Sequence, residues 1–374
     1  MLLPHSRRKL NTHMRTTFRF IAAVCALAAW PFAAMADDKA SPGPSDKPGG
    51  CFANLQIEND LFGNGADRHY THGMRLSVAV PAPAKLDTKP DTCLIFDDQA
   101  RAGGDILQML FGKLFLLPDR KRHVEAILGQ SIFTPEDIRR TDLISDDRPY
   151  AGWLYAGLAL STERPRGDAR MLDNFELDIG VIGPMSFARE VQTTWHELIG
   201  SPKPRGWDHQ LKNEVGVLAT YERKFPLPRI DLGGLEAELM PSAGVALGNV
   251  YTYGAAGMTL RLGDNVPYDY GPPRIRPGLQ GSSFTPSGPE GGFGWYVFAG
   301  LEARAVARNI FLDGNTFRNS HSVDKRPLVG DLQAGFVLRF DWGSLAFTNV
   351  FRTKEFDGQR EADEFGSINL SVRF

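Results

Sequence analysis

Apolar and polar residues alternate along most of this chain, with the period of two that places every second side chain on one face of a β-strand. The pattern is clear in "AGWLYAGLALS" (Ala151–Ser161), "FELDIGVIG" (Phe175–Gly183), "EVGVLATYER" (Glu214–Arg223) and "ELMPSAGVALG" (Glu238–Gly248). It continues in "GMTLRLG" (Gly257–Gly263), "WYVFAGLEARAVA" (Trp295–Ala307), "LQAGFVLRFDW" (Leu332–Trp342) and "LAFTNVFRT" (Leu345–Thr353). Many of these runs are about 9–11 residues long, the length of a tilted strand crossing a bilayer. The chain ends on "SINLSVRF", with Ile368, Leu370, Val372 and the terminal Phe374 on one face and Asn369, Ser371 and Arg373 on the other. Counting from Phe52 predicts about twelve strands, an even number as a closed membrane barrel requires. The expected fold is therefore all-β: a transmembrane antiparallel β-barrel of about twelve strands, closed so that no backbone edge meets lipid.

Three long connections interrupt the meander. Pro81–Lys121 separates the second and third strands, and Asp264–Gly292, dense in Pro, Gly and Ser, reads as a mobile surface loop without chemistry. Pro184–Asn213 holds a helix near 186–200: Ser186 can cap it, Glu190 lies in its first turn, Val191, Trp195, Leu198 and Ile199 recur at helical spacing, and Gly200 and Pro202 end it. Gln192 and His196, four apart, share one helix face. By itself His196 reads equally as a polar surface residue. A helix carrying Trp195, with Trp207 just beyond, can instead lie in the membrane interface and bring the histidine beside lipid.

The N-terminus changes the picture by supplying a destination. Arg7, Arg8, Lys9, Arg15 and Arg19 precede the apolar run "FIAAVCALAAW" and the small residues Ala34-Met35-Ala36. This is the layout of a cleaved secretory signal over 1–36. A Pro/Gly/Ser-rich leader (37–50) and the barrel (51–374) follow. Cys25 leaves with the signal; Cys51 and Cys93 stay in an oxidising compartment where they can pair. A net charge of -2 with 23% charged residues gives no reason to expect a nucleic-acid partner.

Candidate chemistry concentrates in "IENDLFGNGADRHYTHGMRLS" (Ile57–Ser77). Asn59 and Asp60 suit a turn between strands, and equally suit oxygen ligation of a metal, with the glycines at Gly63–Gly65 letting the backbone approach an ion. The span lacks the spacing of an EF-hand loop. His69 and His72 are three apart in a predicted strand, so they point to opposite faces, which disfavours zinc. In "DDRPYAGW" (Asp146–Trp153) Arg148 and the two carboxylates can tie a loop to a strand start.

Four stretches, "ENDLFGNGADRHYTHGMRLS", "DDRPYAGWLYAGLAL", "DIGVIGPMSFAREVQTTWHELIG" and "WDHQLKNE", resemble the outer-membrane lipid A 3'-O-deacylase family, and the likeness runs from Phe52 to Phe374. The resemblance implies a twelve-stranded barrel in the bacterial outer membrane and a calcium-dependent esterase. Such an enzyme removes a 3'-linked acyloxyacyl chain from lipid A of the outer leaflet, with no obligate protein partner. By motif position it implies Asn59 and Asp60 as the metal pair, Thr71 as a hydroxyl contributor, and Gln192 and His196 as helix residues with the histidine as base. Arg148 would then be a candidate for a lipid A phosphate. One position departs: Pro202 stands where a family member has an acidic residue. Two alternatives stay open at this point. One is a non-catalytic barrel such as a small porin. The other is an outer-membrane phospholipase using a serine such as Ser77 or Ser161.

Overall fold

In the computed structural model, residues 50–63, 68–81, 121–166, 169–267, 269–275, 277 and 292–374 are described. The strands are β1 (Phe52–Asn59), β2 (His69–Pro81), β3 (Lys121–Thr134), β4 (Ala151–Arg166), β5 (Ala169–Ile182), β6 (Glu214–Lys224), β7 (Ile230–Asp231), β8 (Glu236–Gly248), β9 (Tyr251–Asp264), β10 (Gly294–Asn309), β11 (Leu328–Phe340), β12 (Gly343–Arg352) and β13 (Asp363–Arg373). All pairings are antiparallel between neighbours. Two further seams close the ring: β1 with β13, from Phe52↔Arg373 to Asn59↔Gly366, and β6 with β8, from Leu218↔Gly248 to Lys224↔Ser242. Twelve long strands make the barrel, and the two-residue β7 pairs with the start of β8. The expected fold is thus realised, with strands of up to 16 residues. The signal, the leader, most of the connection after Pro81 and Cys93 lie outside the described residues. Cys51 is disulfide-bonded.

The two faces of the wall are inverted relative to a water-soluble protein. Leu76, Leu128, Ile179, Val215, Leu247, Leu260, Leu301 and Leu332 are exposed on the outside. Many of the alternate positions are polar and buried inside, beside an apolar cluster that includes Tyr70, Phe133, Trp153 and Tyr155. Arg75 bridges Glu176 at 3.2 Å and Glu125 at 3.3 Å, and Asp331 takes Arg304 and Arg352, each at 2.9 Å. An apolar exterior needs lipid around it, and these charges inside are tolerable because they are paired. Phe293, Phe340 and Trp342 form an aromatic cluster at the rim where the chain ends. Aromatic rings favour that headgroup level.

The described part of the connection after β9 is not the surface loop its composition suggests. Residues 266–267 and 269–275 fold into the barrel as a strap. Val266 packs with Tyr296, Phe298 and Val337. Asp269 is ion-paired with Arg261, and the Tyr270 hydroxyl donates to Glu163 at 2.7 Å. Lys224 donates to the Tyr270 carbonyl at 2.9 Å, and Gln56 to the Pro273 carbonyl at 2.9 Å. Prolines keep this segment out of the ladder, but its carbonyls still need donors, and the polar lumen supplies them.

One rim carries the β1–β2 connection and the 135–150, 183–213 and 353–362 connections; the start of β1 at Phe52 and the end of β13 at Arg373 lie at the other. The 183–213 connection contains helix α1 (Ala188–Ile199). Ser186 does not cap it. Its hydroxyl donates to Gly183 O at 2.6 Å within a single turn over Pro184–Ser186. Phe187 caps the helix instead, in a left-handed conformation (φ 57°). Gly200, at φ 73°, ends α1 as expected.

Candidate active site

On an apolar outer wall, polar side chains are conspicuous, and at the helix rim several gather. Glu58 faces the lumen, so Asn59, its neighbour in β1, faces out. Asn59 pairs in register with His72 of β2, with Nδ2 and His72 Nδ1 3.5 Å apart. The β2–β3 ladder slips between Tyr70 and His72. Such a bulge leaves its extra residue unpaired and re-aims it. Here that residue is Thr71. Tyr70 points inward, packing on Phe133 and Phe365. The Thr71 hydroxyl meets that of Thr134 at 2.7 Å. Thr134 is next to the inward Phe133 and on the same side as Ile132 and Gln130, the residues that meet the helix segment.

Gln130 donates to Ser186 O at 2.6 Å, and Ile132 shares a buried cluster with Ile138, Tyr150, Ala188 and Trp207. The helix therefore lies on the outside of the barrel, over β3 and β4. Its buried stripe is Ala188, Gln192 and His196. The expected apolar stripe points away: Val191 and Leu198 are exposed, with Met185 and Phe187 before them. Apolar out and polar in suits a helix with lipid behind it and a polar wall in front. Trp207, expected near the interface, is buried against Tyr150.

Two hydrogen bonds fix the chemistry of the stripe. His196 Nδ1 lies 2.6 Å from the carbonyl oxygen of Pro202. A carbonyl only accepts, so Nδ1 carries a proton, and in the neutral ring the lone pair is on Nε2. The position where the sequence departs from an acidic residue thus supplies an oxygen through its backbone. The indole of Trp207 donates to Gln192 Oε1 at 2.9 Å. An indole N–H only donates, so the Gln192 amide must turn its NH2 the other way. That buried nitrogen has no protein partner. Sequence reasoning missed Thr134, which left no signal; it weighed His72 only against zinc, placed Trp207 at the membrane interface, and marked Pro202 as a departure without seeing that its carbonyl meets His196.

Gly152 lets the helix dock. A Cβ there would stand 2.2 Å from both Ala188 Cβ and Ser186 Oγ. Gly152→Val should lift α1 while leaving the β-ladder paired. The expected result is a native-like heat-modifiable band on a gel with amide exchange in peptides covering 186–200 speeded at least about tenfold, as local opening there becomes easier.

At the 60–68 turn, Asn59 Oδ1 accepts from Leu61 N at 2.8 Å and Asp60 Oδ2 from Arg68 N at 2.7 Å. Adjacent amide and carboxylate oxygens are hard donors, of the type calcium takes. Among the described residues no group of three or more His, Cys, Asp or Glu could hold a metal. The pair fits calcium only as part of a shell of roughly six to eight oxygens completed by backbone, water and substrate. Gly63 packs against the β13 backbone, a Cβ there falling 2.5 Å from Glu364 O. Gly65 lies outside the described residues. His69, at φ 63°, turns away from this face, its Nδ1 2.6 Å from Asp363.

Arg148 stands apart from the outer-wall group. Only 1% exposed, it lies over the inward Phe133 ring at 5.0 Å and reaches Glu355 at 3.3 Å. Arg148→Met should destabilise the barrel by about 3–5 kcal/mol, because Glu355 loses a buried partner. Urea unfolding checks this, and unchanged stability would remove this ion pair from what holds the barrel together. Ser77 and Ser161 both face the lumen, bonded to Asn54 at 3.3 Å and Asn174 at 2.9 Å, away from lipid on the outer wall.

Comparison with known proteins places the fold. The chain is similar in structure to LpxR from Salmonella typhimurium, with a TM-score of 0.64 and 21% identity, covering 86% of this chain and 100% of that one. Two more distant barrels are the β domain of the Bordetella autotransporter BrkA (TM-score 0.44, 8% identity, 88% and 100% covered) and the translocator domain of NalP from Neisseria meningitidis (0.38, 11%, 95% and 98%). A search of curated proteins found no match. The family model described as outer membrane protein LpxR matches residues 20–374. Nearly the whole chain is covered, and it belongs to the LpxR family of outer-membrane proteins.

Proposed function

We propose that this protein is a calcium-dependent lipid A esterase that removes a 3'-linked acyloxyacyl chain at the outer leaflet. The observation that carries the reading is the histidine held on the lipid side of the wall: His196, 3% exposed, under a helix whose outer face is apolar. An acyl chain of a membrane lipid can reach such a site without leaving the bilayer. Family membership points the same way, and the luminal position of Ser77 and Ser161 gives no support to a serine phospholipase.

In this reading Nε2 of His196 takes a proton from water as the oxygen attacks the ester carbonyl. The same proton then goes to the departing sugar alkoxide, leaving a free acid and a hydroxyl on lipid A. The Pro202 carbonyl holds the ring in the tautomer that can do this. The Gln192 NH2, fixed by Trp207, donates to the developing oxyanion. Thr71, braced by Thr134, orients the water. Asn59 and Asp60 would hold calcium, which when bound supplies positive charge against the ester oxygen. The test is mass spectrometry of lipid A incubated with purified protein and calcium. Loss of one acyloxyacyl group supports the reading, and an unchanged mass at every calcium concentration sinks it.

A further inference from the structure

The luminal strap ends directly behind the candidate site. Glu58 is fully buried on the inner face of β1, next to Asn59. Its Oε1 accepts from the Ile275 backbone N–H at 3.0 Å and from Gln56 at 3.0 Å, and its Oε2 from the Tyr70 hydroxyl at 2.9 Å. Arg274 stands 3.7 Å from the same carboxylate. Beyond it, the Arg274 side chain donates to Gln333 at 3.2 Å and lies 3.6 Å from Asp331. The strap thus ties Glu58 to β11, three strands round the wall from β1. Tyr70 in turn immediately precedes Thr71. One buried carboxylate therefore holds the residues adjacent to Asn59 on β1 and to Thr71 on β2. Gly73 makes room for this: a Cβ there would fall 2.1 Å from the Tyr70 hydroxyl and 2.8 Å from Ile275 Cδ1.

We propose that the strap is a positioning element for the outer-wall site, with Arg274 and Ile275 setting the β1–β2 end through Glu58 and Tyr70. This makes Glu58, Tyr70 and Arg274 positioning residues that touch neither substrate nor metal. A β-strand carries side chains to both faces from one backbone, so a group fixed inside fixes the adjacent group outside. The buried carboxylate is the suitable anchor, because a charge in the lumen is held in one place by every donor it has. The proposal rests on the deacylase reading for its kinetic arm and is independent of it for its structural arm.

The experiment compares full-length mature protein in detergent with its Arg274→Ala, Gly73→Ala and Arg274→Lys variants. Amide hydrogen exchange is followed by mass spectrometry, and kcat and KM are measured on lipid A with calcium. Arg274→Ala and Gly73→Ala are expected to speed exchange at least about tenfold in peptides covering 57–63 and 68–72, by loosening local opening there. Peptides from β9 should not change. In the same variants kcat should fall on the order of ten- to a hundredfold with KM unchanged, as expected when catalytic groups are misplaced. Arg274→Lys should recover part of the loss. Unchanged exchange at 57–63 overturns the proposal, as does exchange that rises everywhere, which would mean general destabilisation. A local rise with wild-type kcat overturns it as well. If the wild type deacylates nothing, the deacylase reading fails, and the exchange comparison alone decides whether the strap sets this end of the wall.

Discussion

Replacing His196 by alanine is expected to cut lipid A deacylation by roughly a hundredfold or more, the range that a positioned general base contributes. The imidazole is the titratable group of the buried stripe on α1, and the Pro202 carbonyl at 2.6 Å holds its proton on Nδ1. Alanine removes the acceptor and leaves the helix intact, since Ala188 and Gln192 still meet the wall and alanine favours the helix. Barrel integrity, read by heat-modifiable migration, should match the wild type. His72→Ala is the control that separates the two histidines at this rim. His72 lies beside Asn59, so its loss should alter the calcium requirement more than the maximal rate. Full turnover in folded His196→Ala protein would remove the histidine base from the mechanism, and with it the role given to Pro202.

The second large effect is expected from calcium. Chelation should lower deacylation by at least about a hundredfold, since a bound cation facing developing negative charge is worth several kcal/mol. Asp60→Asn should shift the calcium concentration for half-maximal activity upward at least about tenfold, because an amide keeps an oxygen donor but loses the charge. The same variant still accepts the hydrogen bond from Arg68 N through its amide oxygen, so the turn should persist. Asn59→Ala should cost more in structure, since it removes the cap on Leu61 N. Undiminished turnover in excess chelator would show that Asn59 and Asp60 only shape the turn.

Much of the barrel is readable from the primary structure, because strand alternation is local. Leu76 and Leu128 outside, Arg75 and Glu125 inside, follow from a period of two whatever the partner strand. The hairpin at 59–69, the end of α1 at Gly200 and the terminal strand to Arg373 are of the same kind. The strap shows where local reading stops. Prolines and glycines in 264–292 state that this backbone cannot join a ladder. They do not state that Gln56 and Lys224, far away in sequence, wait in the lumen with donors for its carbonyls.

The site divides the same way. Motif order alone marks Asn59, Asp60, Thr71, Gln192 and His196, but which of them face one another depends on closure and register. The bulge that frees Thr71 appears only when β2 lies against β3. The Pro202 carbonyl reaches His196 only because the chain after Gly200 turns back on the helix, a path no composition encodes. Trp207 reads as an interface aromatic until folding buries it against Tyr150 and aims its N–H at Gln192. By itself, then, the sequence determined a lipid-facing barrel with a helix in one connection, because hydrophobic periodicity is a property of neighbouring residues. Only the tertiary structure decided what stands behind and in front of that wall. A strap tip meets Glu58 across 217 residues of chain, and such a contact exists only once the barrel has closed.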